Sequence, residues 1–146
     1  MSQENVEIVK RAEPSGVDMV QLFRGETAPD PAASGVDVSV FDTDFEAEFI
    51  SAGGSMRPTS RGPEALAEAW RAWLEAWESY YLEVEAVLDA GDEVVSLVRV
   101  RARTTRDAVA VEHRPAAVWW VREGKIARVR FYLDRDQALE AAGLRE

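Results

Sequence analysis

Residues 113–136 read His113-Arg-Pro-Ala-Ala-Val-Trp-Trp-Val-Arg-Glu-Gly-Lys-Ile-Ala-Arg-Val-Arg-Phe-Tyr-Leu-Asp-Arg-Asp136, a strand, a glycine turn and a second strand. Arg122-Glu123-Gly124 fits a three-residue hairpin loop, a type I turn with glycine in the left-handed position. Such a loop pairs Val121 with Lys125 and puts the odd-numbered residues of both strands on one face. That face carries Pro115, Ala117, Trp119 and Val121 beside Ala127, Val129, Phe131 and Leu133, without a charge. The even face carries Ala116, Val118 and Trp120 beside Ile126, Arg128, Arg130 and Tyr132. Asp134 can cap a closing helix from Arg135 to Ala142, which Gly143 ends. A sheet face without charge must cover a core or line a pocket, so function turns on what the odd face encloses.

Upstream, the first strand of the hairpin reads back to Val109, as Val109–Val121; Glu93–Thr105 reads as another strand, and Leu82–Leu88 as one more, ended by Ala90-Gly91-Asp92. Before Tyr81 the period is helical. Pro63 suits a first helical position, and Leu66, Trp70, Trp73, Trp77 and either Tyr80 or Tyr81 follow at spacings that share one face. Phe45, Ala47 and Phe49 alternate with Glu46 and Glu48, the pattern of a half-buried strand. Ser2 can cap a first helix with the stripe Val6, Val9, Ala12, ended by Pro14-Ser-Gly16. Val17–Phe23 reads as a second short helical piece with Val17, Val20 and Phe23 inward. Residues 25–36 and 51–62, rich in Gly and Pro, read as loops. The order predicts one α+β domain over residues 1–146, with helices packed on one side of a curved, mostly antiparallel sheet.

Composition narrows the function. A formal charge of −10 over 146 residues argues against nucleic acid and against an anionic membrane surface as partners. There is no apolar run of about 18 residues, the length a membrane-spanning helix needs. The first residues lack the basic and apolar regions of a signal peptide, which predicts a cytoplasmic protein. With no cysteine and one histidine, thiol chemistry and a histidine-rich metal site are excluded. No motif points to a metal or a cofactor; Gly53-Gly54 lacks the glycine spacing and lysine of a phosphate loop.

Four stretches carry a family resemblance: Ser2-Gln-Glu-Asn-Val-Glu-Ile-Val-Lys-Arg-Ala12, Arg61-Gly-Pro-Glu64, Val118-Trp-Trp-Val-Arg-Glu-Gly-Lys-Ile126 and Phe131-Tyr-Leu-Asp-Arg-Asp136. The chain resembles the SnoaL-like group of the NTF2-like superfamily over nearly its whole length, departing from the usual pattern across residues 14–40. The resemblance implies a cone-like fold around a mainly apolar pocket, with a homodimer through the outer sheet face. It also implies activities such as polyketide cyclisation, steroid isomerisation or epoxide hydrolysis. Steroid isomerases of this fold keep a carboxylate base at a position that falls near Phe49 and an acid that falls near Ala117. The epoxide-hydrolase pattern falls on Arg99-Val100-Arg101 and on about Phe131, so the arginine is kept and both carboxylates are missing. A fold of this kind hosts many functions, and the site must decide among them.

The residues leave two readings open. In the first, the protein is a cofactor-independent isomerase, cyclase or hydrolase acting on a small apolar or aromatic molecule. Phe49, Trp70, Trp73, Trp77, Arg99, Ala117, Trp119, Val129 and Phe131 then line the pocket. His113 and Arg101 supply the chemistry, facing each other if residues 106–108 form a three-residue loop. In the second, it is a non-catalytic binding or dimerising module, with the arginines at the solvated side of the sheet bridging to Glu46, Glu48 or Glu112. Tyr80, Tyr81 and Tyr132 are further candidate hydrogen-bond donors to a ligand carbonyl. For the homodimer face, the even residues Val118, Trp120, Ile126 and Tyr132 are the candidates.

Overall fold

The computed structural model describes residues 2–23, 37–50 and 60–144; the loop expected at 25–36 and most of that at 51–62 lie outside the described residues. In chain order the elements are α1 (Ser2–Ala12), β1 (Val17–Asp18), α2 (Met19–Leu22), a 3-10 turn (Val38–Val40), β2 (Phe41–Ile50) and β3 (Ser60–Arg61). They continue with α3 (Gly62–Leu74), β4 (Trp77–Asp89), β5 (Glu93–Thr104), β6 (Ala110–His113), β7 (Ala116–Arg122), β8 (Lys125–Tyr132) and α4 (Arg135–Ala141). The strands form one sheet in the order β1-β4-β5-β7-β8-β2-β3, with β6 also on β5. Every pairing is antiparallel except β2 with β8. The architecture is α+β, a strongly curved, mostly antiparallel sheet with helices, the class expected from the sequence.

The apolar stripe of α1 closes one end of the cone. Val6, Ile8, Val9 and Ala12 pack with Phe45, Ala47, Val94, Trp119, Ile126 and Val129 in one buried cluster. A second cluster joins Met19, Leu74, Tyr80, Leu82, Val98 and Val100, with Trp70, Trp73 and Trp77 against it. The stretch expected as a second helix divides. Val17 pairs with Leu82 as a strand residue, and Met19 rather than Val20 is the buried side chain of α2. Asp18 explains the junction, since its Oδ1 accepts from Val20 N and from Tyr80 N, each at 3.0 Å, capping α2 and tying it to β4. Ser2, expected as a cap, is itself the first helical residue.

The helix through Trp70 and Trp73 stops at Leu74, so Trp77 and Tyr80 belong to β4 and not to the helix expected to carry them. The four-residue step from Trp73 to Trp77 imitates a helical face, but β4 makes a long ladder with β5, from Trp77↔Thr104 to Asp89↔Val94. Tertiary pairing overrides the local period here.

Two turns differ from expectation by one residue, with different consequences. The β7–β8 turn has two central residues, with Arg122 opposite Lys125 and positive φ at both Glu123 (52°) and Gly124 (79°). That is the type I′ geometry whose twist suits a hairpin, in place of the three-residue loop expected. The ladder then jumps from Val121↔Ile126 to Trp120↔Arg128, leaving Ala127 as a bulge residue. The bulge restores odd-with-odd pairing from Trp119↔Val129 onward but turns Ile126 inward, where it is fully buried against Val9 and Val129.

The β5–β6 turn spans residues 105–108, with Ala108 at φ 51° and Thr104 N donating to Val109 O at 3.0 Å. The extra residue shifts the register by one, and a shift by one changes which side chains share a face. His113 therefore stands opposite Val100, and Arg101 opposite Glu112. The strand expected at Val109–Val121 is interrupted at Arg114-Pro115, yet Val98 N donates to Pro115 O at 3.0 Å, so β6 and β7 share one register along β5.

Asp134 caps α4 by accepting from Asp136 N at 2.9 Å. Gly143 (φ 74°) ends it, with Gly143 N bonding Glu140 O at 3.1 Å and Leu144 N bonding Leu139 O at 2.9 Å. This helix lies on the outer face. Ala138 and Leu139 pack with Val95, Val118 and Tyr132.

Candidate functional site

The sheet, α1 and α3 enclose a cavity of about 680 Å³. Phe49, Trp70, Trp73, Ala117, Trp119, Val129 and Phe131 all line it. Alternation on β2, β7 and β8 aims Phe49, Ala117, Trp119, Val129 and Phe131 at one space, and the helical period on α3 brings Trp70 and Trp73 over them. The rings hold one another by edges. Trp70 stands edge-on to Phe49 at 5.6 Å, to Phe131 at 5.5 Å and to Tyr80 at 6.2 Å between centroids. Phe49 lies beside Phe131 at 4.8 Å. Trp119 turns its polar tip away from this surface, donating Nε1–H to the buried Ser96 Oγ at 2.9 Å.

Trp77 and Arg99 stand outside the lining. Trp77 packs behind the wall, 6.1 Å from Trp73 and 5.4 Å from Tyr80. Arg99 and Arg101 project from the opposite face of β5. Arg99 donates Nε and Nη2 to Glu112 Oε2 at 3.0 and 2.7 Å. Arg101 donates to Glu83 Oε1 at 3.1 Å and sits 5.4 Å from the Tyr81 ring centre. The pairing of Arg101 with His113 is thus corrected by the register of β6.

His113 faces inward but does not line the cavity. Its Nε2 lies 3.4 Å from Tyr80 Oη, and Tyr80 is the residue that reaches the cavity. Burial pushes the His113 pKa below its ordinary value, which favours the neutral ring. Burial also pushes the Tyr80 hydroxyl up to about 12, against a smaller opposing effect of a hydrogen bond from Trp73. Tyr80 is therefore a protonated phenol at neutral pH and a hydrogen-bond donor on the wall. Tyr132 also lines the cavity, whereas Tyr81 faces out.

Glu13, which the sequence reading passed over, is an acidic group of the lining. It follows α1, and Glu13 N donates to Val9 O at 3.2 Å, so the helical turn continues to it. The residue is half-buried, but its Oε1 is sealed from solvent and has no hydrogen-bond partner. Burial pushes its pKa from 4.5 to about 7, and a hydrogen bond from Ser96 opposes that rise in part. The signal was present: Val6, Val9 and Glu13 step by three and four along one helical face, which puts the carboxyl on the buried side.

The proposed partner face is mostly covered. Val118 and Ile126 are fully buried within the monomer, Ile126 on the inner side and Val118 beneath α4, and Tyr132 is 6% exposed. Trp120 is the one of the four that stays partly exposed, with Arg128 and Arg130 over its ring at 5.2 and 5.6 Å. Both arginines also hold Glu48 Oε1: Arg128 Nε at 3.0 Å and Nη2 at 2.6 Å, Arg130 Nε at 3.0 Å. Among the described residues no helix is long and apolar enough to cross a membrane, and no group of His, Asp and Glu is arranged to hold a metal.

Comparison with known proteins agrees with this geometry. An NTF2-like protein from Burkholderia thailandensis E264 superposes with a TM-score of 0.62 at 26% identity, over 93% of this chain and 95% of the other. A provisionally named SnoaL-like polyketide cyclase from Jannaschia sp. CCS1 gives a TM-score of 0.63 at 18% identity, over 99% and 95%. TerC, crystallised with polyporic acid, gives 0.61 at 17% identity, over 96% and 98%. No curated protein matches the chain by sequence. The SnoaL-like domain family matches residues 20–129, which hold most of the sheet, α3 and most of the cavity lining, and the chain belongs to that family.

Proposed function

We propose that the protein binds a small apolar or aromatic molecule in the 680 Å³ cavity and acts on it as a cofactor-independent isomerase, cyclase or hydrolase. The observation that carries this is the lining itself. Flat aromatic surfaces from β2, α3 and β8 face one space of the size that holds a small organic ligand, with a few polar groups among them. The structural relative TerC was crystallised with a small molecule, polyporic acid. Titration with 2-tetralone, a bicyclic aromatic ketone, tests the binding through the fluorescence of the tryptophans around the cavity. Saturable quenching is expected, and Ala117→Trp, which fills the cavity, abolishes it. Quenching that survives Ala117→Trp unchanged would place the ligand elsewhere.

A second reading, binding without catalysis, is favoured by Phe49, Ala117 and Phe131, apolar side chains near which the resemblance to steroid isomerases and epoxide hydrolases would put acids. The two readings share the cavity and part on whether any acid–base group serves it.

The protein is also proposed to form a homodimer through the outer face around Trp120. The support is a partly exposed tryptophan on a strand surface, with two arginine guanidinium groups over its ring. Trp120→Glu is expected to weaken self-association at least tenfold in sedimentation, on the order of 1.4 kcal/mol or more. An unchanged association constant would remove this face from consideration.

A further inference from the structure

We propose that Glu13 is the acid–base catalytic residue of the cavity, serving a proton transfer at a carbon beside a carbonyl of the bound molecule. The proposal rests on the pocket reading above and adds the group that does the chemistry. The carboxylate of Glu13 removes a proton from the carbon. The C–H electron pair moves into an enolate, and an O–H bond forms on Glu13. The carboxylic acid then returns the proton to a different carbon of the same molecule, giving an isomer, or to the same carbon, giving exchange. No electrons are gained or lost overall, so no oxidant, reductant or cofactor is required.

Three features place Glu13 in this role. Its side chain lines the large cavity, and the enclosed Oε1 has no protein partner to satisfy it. A buried acceptor without a partner is costly, and a catalytic role is one of the few reasons a folded protein keeps one. The third is a polar neighbour, Ser96, whose Oγ accepts from Trp119 Nε1 at 2.9 Å and whose hydroxyl favours the charged form of Glu13.

The charged neighbours do not neutralise Glu13. Glu13 also borders a second, smaller cleft that it shares with Lys10 and Glu85. Lys10 is paired with Glu7 at 3.5 Å and Glu85 with Arg135 at 2.8 Å. Asp42 is the other acidic residue of the cavity wall, and its Oδ1 accepts from Asp44 N at 3.0 Å. A carboxyl held near pH 7 by burial is matched to taking and giving a proton under neutral conditions. Tyr80 lines the same cavity as a donor that stays protonated through the range in which Glu13 titrates, so it can meet an enolate oxygen.

The test follows deuterium uptake at the α-carbons of 2-tetralone in D2O by proton NMR, alongside its binding. The wild type is expected to exchange faster than buffer, and Glu13→Gln to lose about a hundredfold of that rate while binding the ketone as before. Circular dichroism confirms that the variant is folded. The exchange rate should rise with pH through about 7. Ser96→Ala should move that midpoint upward, because the hydroxyl favours the charged carboxylate, and a merely structural serine would leave it in place. If 2-tetralone does not bind the wild type, the pocket reading fails and this proposal with it. If it binds but exchange is no faster than buffer, or Glu13→Gln exchanges like the wild type, the pocket stands and the role of Glu13 is overturned.

Discussion

Glu13 and Glu48 are the same residue type on opposite sides of one sheet, both with enclosed carboxyls, and their surroundings drive them in opposite directions. Glu13 meets an apolar cavity and one serine, and burial raises its pKa to about 7. Glu48 is 3% exposed, and burial alone would raise its pKa too. The bonds and charges of Arg128 and Arg130 outweigh that and hold the carboxyl below its ordinary range. Desolvation acts on both, and the presence of a cation decides the sign. The inner face of the cone is thus a place where a proton can be kept or released near neutrality. On the outer face, charge is fixed and structural.

The largest expected effect is on the inner face. Trp119 is 2% exposed and joins the α1 cluster to the cavity wall. Trp119→Ala should cost about 3 to 5 kcal/mol in urea unfolding, from lost packing and the cavity left behind. A loss below about 1 kcal/mol would mean that this face is loosely packed and that the cavity is not held open by rigid walls.

The contrast between the glutamates is sharpened by pH. The folded pKa of Glu13 is raised, so the folded state holds its proton more tightly than the unfolded chain does. The stability contributed by that proton is full below about 4.5 and is lost as pH rises through about 7. At about 1.4 kcal/mol per unit, the loss is on the order of 3 kcal/mol. Glu13→Gln removes the slope, so the variant should gain on the wild type as pH rises from 4 to 8 by roughly that amount. Parallel stability curves for the two proteins would show that Glu13 is solvated and would dissolve the comparison.

The smallest of the three effects is at Glu48. Glu48→Ala leaves Arg128 and Arg130 without their shared acceptor, but these arginines are 37% and 29% exposed, so water takes over part of the bond. The expected cost is about 2 kcal/mol at pH 7. Its pH dependence has the opposite sign to that of Glu13. The folded pKa is depressed, so the contribution is present above the ordinary carboxylate pKa and lost as pH falls through the depressed value. Wild type and Glu48→Ala should therefore converge in acid, and curves that stay apart there would assign the loss to packing and not to charge.

The same contrast shows what could be read without coordinates. Alternation in β2 places Phe45, Ala47 and Phe49 against Glu46 and Glu48, and the cavity wall follows from that pattern. It could not show that Glu48 would be sealed by two arginines, because Arg128 and Arg130 come from a strand about eighty residues away and meet it through a parallel pairing. Glu13 was legible in part, as the next step after Val6 and Val9 on α1. What hid it is that a lone carboxylate is most often exposed, and only packing against Ser96 and the cavity makes it otherwise. The Arg101–His113 pairing failed for a narrower reason. A turn of four residues instead of three moves every partner along β6 by one, and no local residue preference distinguishes the two lengths. Trp77 failed because a helical spacing and a strand of aromatics look alike until β5 is there to pair with.

The sequence by itself determined the α+β order of elements, the SnoaL-like family, the apolar odd face of the closing hairpin and the caps at Asp134 and Gly143, because periodicity and turn chemistry are local. The tertiary structure alone decided the register of β6, the inward turn of Ile126 at the Ala127 bulge, the covering of Val118 and Tyr132 by α4, and the opposite protonation of Glu13 and Glu48. Those depend on one-residue differences in turn length and on which groups meet across long stretches of chain, and a pKa is set by just such neighbours.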